Sequence, residues 1–234
     1  MNFKGSLLAL AAMAFGATNL ALAEGPVLVF GGTSGTGLGA IQNLRAMDVP
    51  VTVFVRPTSD LSALEGLGVT TVVGDALNAQ QVTAAFATGE FKSVISSLGG
   101  RRGEPRPDWI GNKHITAAAK AAGVDRVVQI SSMGAGNTRE APGEGEGFMA
   151  QVLYIKTLAE DDLIASGLNY TIIRPGGLRR GEATGTGVLK DYEKMGAIDR
   201  QELGRLVAGT LDDTATHRRI LYAWDPALPA PEEE

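Results

Sequence analysis

The stretch "VLVFGGTSGTGLG" (27–39) constrains the fold more than any other. Four apolar residues rich in β-branched side chains run into three spaced glycines, Gly31, Gly35 and Gly37, and then into a helical pattern. A strand that turns through glycine into a helix makes a tight corner. It brings the backbone close to whatever lies at the strand end and leaves the first N–H groups of the helix unpaired. Those N–H groups and the helix dipole favour phosphate, so the corner is expected to cradle a dinucleotide pyrophosphate with Gly31, Thr33, Ser34, Gly35, Thr36 and Gly37.

The rest of the chain repeats the strand-then-helix alternation. Short β-branched runs occur at 27–30, 51–55, 70–73, 93–98, 126–132, 170–174 and 218–224. Several are apolar throughout, as expected of strands covered on both faces. The intervening segments carry apolar residues three or four apart, the period of an amphipathic helix. This predicts an α/β fold: a Rossmann-like, doubly wound parallel sheet of about seven strands in a single domain. No repeat or linker divides the 234 residues.

The end of the second run bears on the cofactor. An acidic residue there accepts hydrogen bonds from the ribose 2′-hydroxyl of NAD. Here the residue is Arg56, about 20 residues past the glycine loop, and a guanidinium suits the 2′-phosphate of NADP. NADP is therefore expected over NAD. Asp75, in "VVGDALN" (72–78), is placed either to receive the adenine amino group or to cap the helix beginning nearby.

Charge and composition exclude several alternatives. A net charge of −5 removes the electrostatic basis for nucleic-acid binding. Two histidines and no cysteine argue against a zinc site or a redox thiol. The expected partner is a small-molecule substrate, itself unspecified, and the oligomeric state is left open.

Residues 1–23 end in Ala21-Leu22-Ala23 after one early lysine and an uncharged, Leu- and Ala-rich stretch. They are expected to be a signal peptide cleaved after Ala23, with a membrane anchor as the alternative. Cleavage would place residues 24–225 in a periplasmic or other extracytoplasmic space, whereas an anchor would leave the domain facing the cytoplasm. Residues 226–234, "PALPAPEEE", read as a disordered acidic tail.

Several further stretches carry a family resemblance: "VISSLGG" (94–100), "AAKAAGVDRVVQISSMGA" (118–135), "YIKTLAEDDLIASGLNYTIIRPGGL" (154–178) and "IDRQELGRLVAGTLDD" (198–213). Together with the glycine loop, they make the chain resemble an atypical short-chain dehydrogenase/reductase of the NmrA-like, NAD(P)-binding kind. The resemblance spans residues 26 to 224. It implies a Rossmann fold, a bound NAD(P)H and hydride transfer. It also implies cofactor contacts at Ser97, Leu98, Ser131, Lys156, Pro175 and Gly176.

Typical members use a serine and a Tyr-x-x-x-Lys pair, so Ser132 and Lys156 are the matching catalytic positions. The position four before Lys156 is Val152. The nearby Tyr154 lies two residues away, about 200° around a helix, and is only a weak candidate for proton donor. A missing donor disfavours ketone or alcohol chemistry and leaves flavin- or quinone-like acceptors, or a cofactor-binding sensor or assembly factor without turnover. Two loops, 99–108 and 133–147, leave the expected carboxyl edge of the sheet, where such folds bind ligands. Arg101, Arg102, Arg106 and Trp109 lie in or beside the first.

Overall fold

The computed structural model describes residues 25–100, 103, 105–137, 147–192, 194 and 196–229. The expected leader at 1–23, Arg101, Arg102 and the last residues of the tail lie outside the described residues.

The elements follow in the order β1 (Val27–Phe30), α1 (Gly35–Ala46), β2 (Val51–Val55), β3 (Thr70–Val73), α2 (Ala79–Phe86), β4 (Ser93–Ser96), α3 (Ile110–Ala122), β5 (Arg126–Ile130), α4 (Phe148–Ser166), β6 (Asn169–Pro175), β7 (Gly177–Arg179), β8 (Val188–Lys190), β9 (Ala197–Asp199), α5 (Arg200–Gly209) and β10 (Arg219–Trp224). The main sheet has eight strands in the order β3-β2-β1-β4-β5-β6-β10-β8. The seven strands expected from the sequence form its parallel part, and β8 adds an antiparallel edge against β10.

The uniform apolarity of the central strands follows from burial on both faces. Along β1, Val27 and Val29 join Ile41, Leu44, Val53, Ile95, Leu203 and Val207 in the core beneath α1 and α5. Leu28 and Phe30 point the other way, into a core with Val82, Ile115, Val127, Leu163 and Ile172 from α2, α3, α4 and the neighbouring strands. Period-2 alternation is thus present, but both faces demand apolar residues. At the edge the demand relaxes: Val73 of β3 is 62% exposed.

Two glycines let α1 and α5 pack closely. A Cβ on Gly204 would lie 2.5 Å from the backbone nitrogen of Ala40, and one on Gly39 would lie 2.8 Å from Oε1 of Gln201. Real Cβ atoms do not approach other heavy atoms this closely, so larger residues would push the two helices apart.

The segment from 177 to 199 carries three strands that periodicity does not reveal. β7, β8 and β9 are each three residues long, and β7 and β9 pair with each other outside the main sheet. Two buried carboxylates hold the loop between β7 and β8. Glu202 accepts from the N–H groups of Gly185 (2.9 Å) and Gly187 (2.7 Å) and pairs with Arg205. Asp225 accepts from the hydroxyls of Thr184 and Thr186. Asp225 also receives the N–H of Ala227, and Leu228 N–H bonds its carbonyl, so the chain beyond β10 begins with a turn.

Burial pushes both carboxyl groups up. For Glu202 this is outweighed by the Arg205 hydrogen bond and the two backbone N–H groups, and for Asp225 by the threonine hydroxyls and the Ala227 N–H. Both end below their ordinary values of 4.5 and 3.8. The unfolded chain therefore binds more protons than the folded one in this range. Their contribution to stability is complete above the unfolded values and is lost as pH falls through the folded ones. Thermal melts should show a first loss as pH falls below about 6.5, because burial holds the His217 imidazole below that ordinary value, and a further drop below about pH 4.5 from Glu202 and Asp225. A Glu202→Gln, Asp225→Asn variant, less stable at neutral pH, should lose less over the acid limb.

Candidate functional site

Strand order reverses between β1 and β4, because β2 and β3 lie on one side and β5 and β6 on the other. Loops at the carboxyl ends of β1 and β4 diverge there and open a crevice, the usual ligand position in such sheets. The glycine loop forms its floor. Gly31 has φ +76°, and a Cβ on it would stand 2.5 Å from the carbonyl oxygen of Ser97 just beyond β4. A Cβ on Gly37 would stand 2.2 Å from the carbonyl oxygen of Gly31. Gly31 is thus needed for both conformation and contact. Gly37 lets α1 start against the turn and is absent from the residues lining the crevice.

The crevice has two chambers that share Gly31, Ser34 and Leu98. The smaller, about 120 Å³, is lined by Thr33, Arg56 and Asp75 together with Phe54 and Pro107. The backbone N–H of Arg56 bonds the Ser59 hydroxyl, closing the loop after β2. The carboxylate of Asp75 accepts from Leu77 N–H, while Asn78 caps α2 by accepting from Gln81 N–H. The capping alternative for Asp75 is therefore taken by Asn78.

The larger chamber, about 450 Å³, brings together Gly35, Thr36, Ser97, Ser131, Ser132, Lys156, Pro175 and Gly176. Arg106, Asp108, Phe148, Val152, Leu178 and Arg200 also line it. Tyr154 is half-buried on α4 and is not among the lining residues, whereas Val152 is 7% exposed and is. The face of α4 turned to the chamber thus carries Val152 and Lys156 one turn apart, and valine stands where a phenol would project.

Two buried carboxylates organise the cations of this chamber. Asp108 is fully buried, and its Oδ1 lies 3.1 Å from Lys156 Nζ and 3.0 Å from Arg106 Nη2. Its Oδ2 accepts from Gly100 N–H, and Arg106 donates to the Gly100 carbonyl, so the loop after β4 closes over the same group. Glu160, one turn beyond Lys156, pairs with Arg174 of β6 through both oxygens, at 3.1 and 2.6 Å. The Ser131 hydroxyl also donates to Glu160. Arg174 donates in turn to the Tyr222 hydroxyl at 2.8 Å. Burial works against the Arg174 cation, but Glu160 and Tyr222 outweigh it and hold its pKa above the ordinary arginine value.

Ser131 is therefore committed to a buried network. Ser132, half-buried, donates only to the neighbouring Met133 carbonyl at a long 3.2 Å and can turn to a ligand. Trp109 is turned away, its indole N–H donating to Asp162 at 2.9 Å. His114 bonds the Ala76 carbonyl and His217 bonds Asn169, both structural contacts.

Asp108, Glu160 and Arg200 were not legible as site residues from the sequence. Glu160 had a usable signal: it follows Lys156 by one helical turn, and a buried acid on that face requires a cation such as Arg174. Asp108 closes the loop 99–108 already expected at the ligand edge, but its pairing with Lys156 had no local signal, and Arg200 arrives from a distant element and had none.

The residues present fit a dinucleotide. Glycines leave the floor open to a pyrophosphate at a helix N-terminus, the smaller chamber offers Arg56, and Asp108, the one acid lining the larger chamber among the described residues, is paired with two cations. The chain belongs to the NAD(P)H-binding family, whose model matches residues 31–214. It is 33% identical over 177 residues to the uncharacterized sugar epimerase YhfK of Bacillus subtilis, covering 74% of this chain and 80% of that protein. Among solved structures, ChuY, an anaerobillin reductase from Escherichia coli O157:H7, superposes with a TM-score of 0.74 at 29% identity, over 87% of this chain and 98% of that one. A short-chain dehydrogenase/reductase from Veillonella parvula in complex with NADP superposes with a TM-score of 0.70 over 87% of this chain and 96% of that one. At 17% identity it shares the fold. The family and these neighbours agree with the atypical short-chain dehydrogenase/reductase resemblance. No helix among the described residues is long and apolar enough to cross a membrane.

The Glu160–Arg174 pair gives a direct test of this framework. Glu160→Ala leaves a guanidinium 9% exposed without its carboxylate and should cost about 3–5 kcal/mol. Urea denaturation measures the loss. A change below ~1 kcal/mol would mean that the pair does not hold the chamber together.

Proposed function

We propose that this chain is an NADPH-dependent reductase acting on a small or flat acceptor of the flavin, quinone or carbonyl type. The carrying observation is the wall of the larger chamber. Lys156 and Ser132 stand beside Pro175 and Gly176, while Val152 faces the chamber where a tyrosine donor would be needed for efficient ketone reduction.

NADPH, when bound, supplies a hydride. The Lys156 ammonium, fixed by Asp108, hydrogen-bonds ribose hydroxyls and keeps a positive charge where negative charge collects on the acceptor. Ser132 donates its hydroxyl proton in a hydrogen bond to an acceptor oxygen. Val152 offers methyl groups, excludes water along its side of the chamber and carries no proton. The acceptor thus gains one hydride, and the proton that completes its reduction comes from solvent. A flavin or quinone tolerates this, whereas a ketone loses about 10²–10⁴-fold without a positioned acid. The likeness to ChuY, itself a reductase, supports this reading.

The same valine favours a second reading, a cofactor-binding sensor or assembly factor without turnover. Following NADPH absorbance with quinones, flavins and carbonyl compounds separates the two. Oxidation by a quinone or flavin with little by simple ketones is expected, and tight binding without oxidation by any acceptor would favour the sensor.

The preference for NADP rests on Arg56 at the smaller chamber. Arg56→Ala should weaken NADPH roughly 10- to 100-fold while changing NADH less than about 2-fold. Fluorescence titration of the two cofactors checks this, and equal losses would remove Arg56 from the 2′-phosphate.

A further inference from the structure

We infer that Arg200 is a pyrophosphate-binding residue that reaches the start of α1 from the neighbouring helix α5. It lies far from the glycine loop in sequence, in the first turn of α5. Packing brings it there. Gly39 and Gly204 allow α5 to approach α1 closely enough for the Arg200 side chain to lie across the start of α1. A Cβ on Gly35 would lie 3.0 Å from Arg200 Cδ and 3.6 Å from Nε, so the lack of a side chain at 35 leaves the space that the arginine arm fills.

The arm is also anchored. Its Nη1 donates to the carbonyl of Arg179 at 3.1 Å and lies 3.4 Å from that of Leu178, both on β7. These carbonyls hold the guanidinium without neutralising it. Lys156 and Arg106 share the Asp108 carboxylate, whereas Arg200 has no carboxylate partner among the described residues. It lines the larger chamber together with Ser34, Gly35 and Thr36.

An anion at the N-terminus of α1 would therefore lie between backbone N–H groups and a fixed guanidinium. A planar fork with remaining N–H donors matches phosphate oxygens, and preorganisation reduces the ordering cost of binding. The ligand class is a diphosphate joined to a nucleoside, as in both nicotinamide cofactors. This assignment rests on cofactor binding in the crevice and not on any acceptor or on turnover.

The test is fluorescence and calorimetric titration of the full chain and its Arg200→Ala and Arg200→Lys variants with NADPH, NADH and ADP-ribose. Arg200→Ala should weaken all three by the same factor, roughly 10- to 100-fold, because the diphosphate is their shared group. Arg200→Lys should recover part of the loss, and the melting temperatures should stay close to that of the parent.

Losses for NADPH and NADH with ADP-ribose unchanged would place Arg200 at the nicotinamide and overturn the proposal. Unchanged affinity for all three would also overturn it, as would a loss that merely follows a collapse in melting temperature and is not restored by lysine. Failure of the parent chain to bind NADPH would instead sink the functional reading on which the assignment rests. The same variants also separate Arg200 from Arg56, since loss of Arg56 should spare NADH and ADP-ribose.

Discussion

The turn between β1 and α1 runs within contact distance of the adjacent strand's extension, and the crevice exists because the backbone can come that close. The Gly31 α-carbon faces the Ser97 carbonyl, and Gly37 faces the Gly31 carbonyl, at separations no side chain would permit. This draws the N-terminus of α1 up to the point where β1 and β4 part. The phosphate-binding end of a helix and the open edge of the sheet then share one space. Had either glycine been larger, helix and strand would separate, and the donors would no longer converge.

Around that space, charge is managed by burial. Asp108 and Glu160 are both almost inaccessible to water, and each is surrounded by cations and hydrogen-bond donors. Such pairs add little net stability compared with apolar packing, but losing one partner is costly. Their effect here is geometric. Asp108 fixes the height of Lys156 in the chamber and ties the loop after β4 to the same point. Glu160 locks α4 to β6 and accepts the hydrogen bond of the Ser131 hydroxyl. The chamber is left with a positioned ammonium, one adaptable hydroxyl at Ser132 and an apolar wall at Val152.

Much of the fold was legible because a parallel sheet covered on both faces leaves a strong mark: runs rich in β-branched residues at 27–30, 51–55 and 126–130 alternating with amphipathic segments. The strands between 177 and 199 left no such mark. They are three residues long and lie in glycine-rich sequence, and the adjoining loop is held by the carboxylates of Glu202 and Asp225. Within the site, local spacing placed Gly31, Arg56 and Lys156 in one crevice. Helix geometry likewise turned Tyr154 away and Val152 inward.

The sequence by itself determined the class of fold, the glycine-rich turn between β1 and α1 and the absence of a Tyr-x-x-x-Lys pair, since each depends on residues close together along the chain. Tertiary structure alone decided which charges meet. Asp108 reaches Lys156 across the gap between α3 and α4, Arg174 reaches Glu160 from β6, and Arg200 reaches Gly35 through the close crossing of two helices. These partnerships depend on distances between elements far apart in sequence, and those distances are fixed only when both faces of the sheet are packed.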